Sequence, residues 1–193
     1  FLRIPKNAST SLYAFFGLAN TIRNEYLNAN NSKYLNVFEP SHCTLQEAKE
    51  ILGDDVAKLP VLAVVRNPYD RMVSMFFFAK KHDLGQLYDI SLDSFDSFVD
   101  GFYRESKNSD FFHAKSQCDY IKGNDIVTVC MFENLKNEIY KFICDNELSF
   151  NVNDLLKLNG TDHNNYKSYY TDKSKETVKK MWQDDLTRFS YSF

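Results

Sequence analysis

Arg3-Ile4-Pro5-Lys6-Asn7-Ala8-Ser9-Thr10-Ser11-Leu12 reads as the end of a strand, a tight turn and the start of a helix. The small residues from Ala8 to Ser11 leave backbone N–H groups at a helix N-terminus, where an anion is favoured. Lys6 adds a full positive charge, and Ser9, Thr10 and Ser11 add hydroxyl donors. A serine-capped helix entry beside a solvated lysine is the alternative reading of the same residues. A Walker A loop reads GxxxxGK[ST], and both of its glycines are missing here. A nucleoside triphosphatase is therefore disfavoured.

Outward from this turn, short apolar or β-branched runs alternate with longer amphipathic stretches. Strands are expected at Phe1–Ile4, Tyr34–Phe38, Val61–Val65 and Ile126–Phe132. Helices are expected at Ser9–Arg23, Thr44–Leu52, Pro68–His82, Ser94–Glu105, Leu135–Asn146 and Lys173–Phe189. Strands separated by helices indicate a parallel sheet covered on both faces, an α/β fold of three layers. Asn67 before Pro68 is a helix start, with a capping side chain followed by proline at the first helical position. Thr44 followed three residues later by Glu47 is a capping-box pattern. Without a repeat, linker or shift of composition, residues 1–193 read as one domain. The chain opens at Phe1 inside an expected strand, so a segment upstream is expected. A cytoplasmic or an anchored, luminal setting depends on that segment.

Four polar residues follow the four expected strands: Lys6, His42, Arg66 and Glu133. In an open parallel sheet the C-terminal strand ends share one edge, and ligands bind there. Val64-Val65-Arg66-Asn67-Pro68-Tyr69-Asp70-Arg71-Met72-Val73-Ser74 places one guanidinium at a strand end and another on the following helix. Arg66 suits bidentate capture of a phosphate, and Ser74 can donate from the helix. Surface arginines paired with Asp70 are the alternative.

Composition narrows the partners. A formal net charge of −3 excludes strong nonspecific nucleic-acid binding by the chain as a whole. No apolar run approaches the roughly 20 residues needed to cross a bilayer, and 17 Phe with 12 Tyr supply ample material for a core. Cys43, Cys118, Cys130 and Cys144 form no CxxC pair and no metal spacing, so four reduced, mostly buried thiols and no metal site are expected.

Together, IPKNASTSL and RNPYDRMVSMF, about 60 residues apart, resemble the sulfotransferase superfamily, with the carbohydrate 2-O type closest in flavour. The resemblance continues through His113-x-x-x-Gln117, through Phe132-Glu133-Asn134-Leu135, and through Tyr169-Tyr170-Thr171…Trp182-x-x-Asp185…Phe189-Ser190-Tyr191. It implies a P-loop-NTPase-like sulfotransferase fold. It also implies 3′-phosphoadenosine 5′-phosphosulfate (PAPS) as donor, its 3′,5′-bisphosphate (PAP) as product, and no required metal. Carried over by position, Lys6 would contact the 5′-phosphate and the bridging oxygen to sulfur. Arg3, Pro5 and Asn7, Ala8, Ser9, Thr10 and Ser11 would complete the phosphosulfate loop. Arg66 and Ser74 would hold the 3′-phosphate, and Lys167 is the candidate for the family's basic C-terminal loop.

His42 is the expected base for a hydroxyl acceptor, small-molecule or glycan. An imidazole's ordinary pKa near 6.5 suits proton acceptance at neutral pH, and the 2-O-type relatives carry a histidine at the corresponding place. A histidine that merely caps the next helix is the alternative. His113 and Gln117, four apart, are expected to share a helical face and to contact substrate or to be buried structural groups. Two other readings remain: a nucleotide or sugar kinase with a degenerate loop, and a sulfonucleotide-binding module without turnover.

Overall fold

Val61–Val65 is a run of β-branched and small apolar residues, and every one of its side chains is buried. In the computed structural model, which describes residues 1–16, 42–53, 60–108, 111–123, 127–158, 160 and 163–193, this run is strand β1. Along the chain the elements are α1 (Ser9–Phe15), α2 (Leu45–Leu52), β1 (Val61–Val65), α3 (Pro68–Lys81), α4 (Gly85–Tyr88), α5 (Phe95–Glu105), α6 (Gln117–Tyr120), β2 (Val127–Met131), α7 (Leu135–Asp145), α8 (Asp172–Met181) and α9 (Gln183–Arg188). The protein is α/β with a parallel sheet, as the alternation of elements predicts. The described chain divides into two compact units. One holds Phe1–Val65 with Tyr120–Gly160, the other Arg66–Asp119 with Thr161–Phe193.

In the first unit β1 and β2 pair in parallel from Val61↔Val127 to Val65↔Met131. Leu2 joins β1 through a single parallel bridge to Ala63, its N–H donating to the Leu62 carbonyl at 2.8 Å. The expected strand Phe1–Ile4 is thus one bridge rather than a ladder. The expected strand Tyr34–Phe38 lies outside the described residues, as does the extension of α1 beyond Phe16. Leu12 of α1, Leu62 and Val64 of β1, Cys130 of β2, and Ile139, Phe142 and Ile143 of α7 form one apolar core. Burying side chains of this size contributes about 1.5–3 kcal/mol each. The expected capping box starts α2: Thr44 Oγ1 accepts the Glu47 N–H at 3.2 Å and Glu47 Oε2 accepts the Thr44 N–H at 2.6 Å.

In the second unit Asn67 Oδ1 accepts the Tyr69 N–H at 3.0 Å, and Pro68 takes the first helical position of α3. Phe76 of α3 meets Phe95 and Phe98 of α5 with ring centroids 5.5 and 5.3 Å apart. These residues, with Met72, Val73, Val99, Phe102, Val178 and Trp182, make the second core. The long helix expected over Lys173–Phe189 is divided at Trp182, whose φ of −124° and ψ of 39° leave the helical region. The Trp182 indole N–H donates to the Ala114 carbonyl at 2.9 Å, and the Arg71 guanidinium stacks 4.6 Å from its ring centroid. Those tertiary bonds hold the ring at the break. Among the described residues no helix is long and apolar enough to cross a membrane.

Candidate functional site

The Pro5–Ala8 turn is built without glycine, yet two of its residues are left-handed: Lys6 at φ 68° and Ala8 at φ 59°. Left-handed residues with a Cβ cost about 1–2 kcal/mol each and persist where the surroundings over-determine them. Here Asn7 supplies the constraint. Its side chain is buried, and its Nδ2 donates to the Val64 carbonyl at 2.7 Å, fastening the turn to the C-terminal end of β1. Ala8 is the N-cap of α1 and offers no side-chain cap to the first-turn amides. A lysine, two left-handed residues on either side of Asn7 and a helix start without a side-chain cap form a donor set suited to an anion. The residues present fit a phosphosulfate group by this chemistry.

The hydroxyls of the turn differ in direction. Ser9 is half-buried and Thr10 is exposed. Ser11 is buried; its Oγ accepts the Leu158 N–H at 2.9 Å and donates to the Leu158 carbonyl at 3.3 Å. Its hydroxyl is a packing group that joins α1 to the 155–158 segment. Pro5 is buried beneath the turn. Arg3 lays its guanidinium over the Tyr13 ring, 4.4 Å from the centroid.

His42 stands beside the same segment. Its Nδ1 lies 2.6 Å from the Arg3 carbonyl oxygen. A carbonyl oxygen only accepts, so Nδ1 carries the hydrogen and Nε2 of the neutral ring carries the lone pair. The neighbouring Cys43 thiol is pushed above its ordinary pKa by burial and then by the Glu47 carboxylate. It stays protonated at neutral pH, which makes it a poor nucleophile. Glu133, in the 3-10 turn after β2, is exposed.

In the second unit Arg66 follows β1 directly and is nearly buried. Its Nε donates to Asp70 Oδ2 at 2.8 Å. Ser74, also buried, lies one helical turn beyond Asp70 on α3, so residues 70 and 74 share a face. The guanidinium is paired with Asp70, as one sequence reading expected, but the pair is partly buried rather than a loose surface bridge. His163 approaches the other Asp70 oxygen, with Nε2 3.8 Å from Oδ1, and its ring stacks on Phe77 at 5.7 Å. Arg71 is fully buried and donates to the carbonyls of Lys115 and His113 at 3.2–3.3 Å.

That demand of Arg71 for carbonyls separates two residues expected on one helical face. His113 belongs to the 3-10 turn Phe112–Ala114 and Gln117 to α6, with Lys115 extended at ψ 138° between them. His113 packs among Phe111, Phe112 and Tyr88. Gln117 is fully buried, and both ends of its amide bond the Arg66 backbone. Lys167 is exposed in the 3-10 turn Tyr166–Tyr169, its Nζ 5.5 Å from the Phe193 ring centroid. No local pattern marks a role for His163 or Asp185, because their partners, Asp70 and the Gln117 and Cys118 N–H groups, lie far away in the chain. The i,i+4 spacing of Arg66 and Asp70 was the one local signal for the pair.

All four cysteines are free thiols, but only Cys130 is buried, Cys43 and Cys118 are half-buried and Cys144 is exposed, so the expectation of mostly buried thiols does not hold. A family model described as "Sulfotransferase domain" matches residues 4–190. No curated protein matches the chain, and no solved structure does.

Proposed function

Because the chain belongs to the sulfotransferase family and is a transferase of sulfuryl groups, we propose that its donor is PAPS and its acceptor a hydroxyl, with a carbohydrate as the acceptor class. The two units are read as one sulfotransferase domain, supported by a family match that runs through residues of both. Bound PAPS supplies an activated sulfuryl group and a bisphosphate leaving group.

The chain's own residues divide the work. Lys6 sets a positive charge against the 5′-phosphate, where negative charge grows on transfer. Pro5, Asn7 and Ala8 shape the turn that presents it, while Arg3, Ser9, Thr10 and the backbone at Ser11 line the same segment. Arg66, oriented through Nε by Asp70, takes the 3′-phosphate with Ser74, and Lys167 adds charge from the C-terminal segment. His42 Nε2 accepts the proton of the acceptor hydroxyl, while Nδ1–H stays on the Arg3 carbonyl. His113, in its aromatic surroundings, is the residue assigned to acceptor contact.

The observation that carries this reading is the His42–Arg3 bond. It holds the His42 ring against the backbone three residues ahead of Lys6, which supports His42 as the base. The first test is ligand-induced stabilisation. At a hundredfold excess over Kd, mass action stabilises a protein by about 2.7 kcal/mol. For a domain of this size that is roughly 5–11 °C in Tm. Adenosine 3′,5′-bisphosphate should produce such a shift without added metal, and ADP a much smaller one. Equal shifts, or a larger shift with ATP and Mg²⁺, would indicate kinase chemistry instead.

A further inference from the structure

Arg66 lies between Val65, the last residue of the β1–β2 register, and Asn67, the N-cap of α3. Its peptide groups therefore fall outside both the ladder and the helix. Gln117 supplies their bonds: its Oε1 accepts the Arg66 N–H at 2.8 Å and its Nε2 donates to the Arg66 carbonyl at 2.9 Å. Gln117 is held in turn. Asp185, fully buried on α9, accepts the Gln117 N–H through Oδ2 and the Cys118 N–H through Oδ1, each at 2.8 Å. A two-point bond fixes the direction of the Arg66 Cα–Cβ vector, just as Asp70 fixes its guanidinium.

We infer that Gln117, anchored by Asp185, is a positioning residue that sets the protein's preference for a 3′-phosphorylated nucleotide by aiming Arg66. This rests on the reading that Arg66 takes the 3′-phosphate. Of the two roles expected for Gln117, substrate contact or a buried structural group, it takes up the second.

The test compares the Kd values of adenosine 3′,5′-bisphosphate and adenosine 5′-monophosphate, measured by calorimetry for the wild type, Arg66→Ala, Gln117→Met and Asp185→Asn. Arg66→Ala should abolish the preference for the bisphosphate. Gln117→Met removes both bonds at similar volume and should cut that preference about tenfold, or about 1.4 kcal/mol. Monophosphate affinity should stay within about twofold, because the 5′ side is untouched. Asp185→Asn should shift the preference in the same direction by a smaller factor. If Gln117→Met does not fold, Gln117→Glu, which keeps the acceptor for the Arg66 N–H, should give a loss of about threefold in the same ratio. A lowered Tm with an unchanged ratio in the folded Gln117 variant overturns the inference and leaves Gln117 as scaffold. A ratio unchanged in Arg66→Ala overturns the placement of the 3′-phosphate, and this inference with it.

Discussion

The imidazole Nδ1 of His42 lies 2.6 Å from the carbonyl oxygen of Arg3, and Arg3 is three residues ahead of Lys6. One hydrogen bond thus fixes the ring's tautomer and ties it to the segment carrying the lysine turn. A ring held in this way differs from a surface histidine, whose ring turns freely and whose tautomers interchange.

His42→Ala should lower kcat by about 10²–10⁴, the usual range for loss of a general base. Bisphosphate affinity should change less than about twofold, because the ring acts on the acceptor. The measurement is steady-state kinetics paired with calorimetry. A variant with normal turnover at saturation and lost nucleotide binding would reassign His42 to the donor.

Lys6→Ala should lower the rate at saturating donor by about 10²–10³, by analogy with removal of an oxyanion donor. Lys6→Arg should recover part of that loss, since charge is kept while the point-like ammonium is replaced by a broad fork. Activity of Lys6→Ala within threefold of wild type would remove the lysine from the mechanism.

Ala8 occupies a left-handed position, so its substitutions report on the turn's strain. Ala8→Gly relieves about 1 kcal/mol of native strain but frees the unfolded chain by a similar amount, and Tm should barely move. Ala8→Val adds β-branching where φ is positive and should cost about 1–2 kcal/mol, or roughly 2–8 °C in Tm. Calorimetric unfolding of both variants checks this. A Tm for Ala8→Val at or above that of wild type would contradict a left-handed residue 8.

The thiols give a pH prediction. Cys118 and Cys130 are both pushed up to about 12, chiefly by burial, then by Asp185 at Cys118 and by Glu138 at Cys130. At pH 8 iodoacetamide should label the exposed Cys144 far faster than these two, with all four labelled in denaturant. A thiol with a raised folded-state pKa contributes stability that is complete below the ordinary value of 9.0 and lost as pH climbs towards about 12. Tm should therefore fall across that window, and less steeply in Cys118→Ala and Cys130→Ala. Fast labelling of all four thiols in the folded protein at pH 8 would contradict the burial.

Where a local rule governs, the sequence predicts the structure closely. The Asn67–Pro68 start of α3 and the Thr44–Glu47 box of α2 follow from capping chemistry within four residues. The Phe95/Phe98/Phe102 face follows from helical spacing, and all three rings are buried. What the sequence hid depends on partners distant in the chain. The break at Trp182 answers to Ala114, 68 residues earlier. The burial of Arg71 answers to carbonyls more than 40 residues later. Gln117 looked like a neighbour of His113 by its spacing, but its amide belongs to Arg66, 51 residues back. In the candidate site, Lys6 and His42 stand out in the sequence because each follows an expected strand. The bonds that orient them, Asn7 to Val64 and His42 to Arg3, carry no local signal.

Sulfuryl transfer from PAPS to a carbohydrate hydroxyl is read out by a labelled-donor assay. The purified protein is incubated with [³⁵S]PAPS and a panel of sugars and oligosaccharides, with EDTA present, and the label in the acceptor is resolved chromatographically. Label is expected on at least one carbohydrate, with PAP formed in equal amount and both lost in Lys6→Ala and His42→Ala. Tight PAP binding with no labelled acceptor, or transfer of γ-phosphate from ATP with Mg²⁺ in place of sulfuryl transfer, would contradict it.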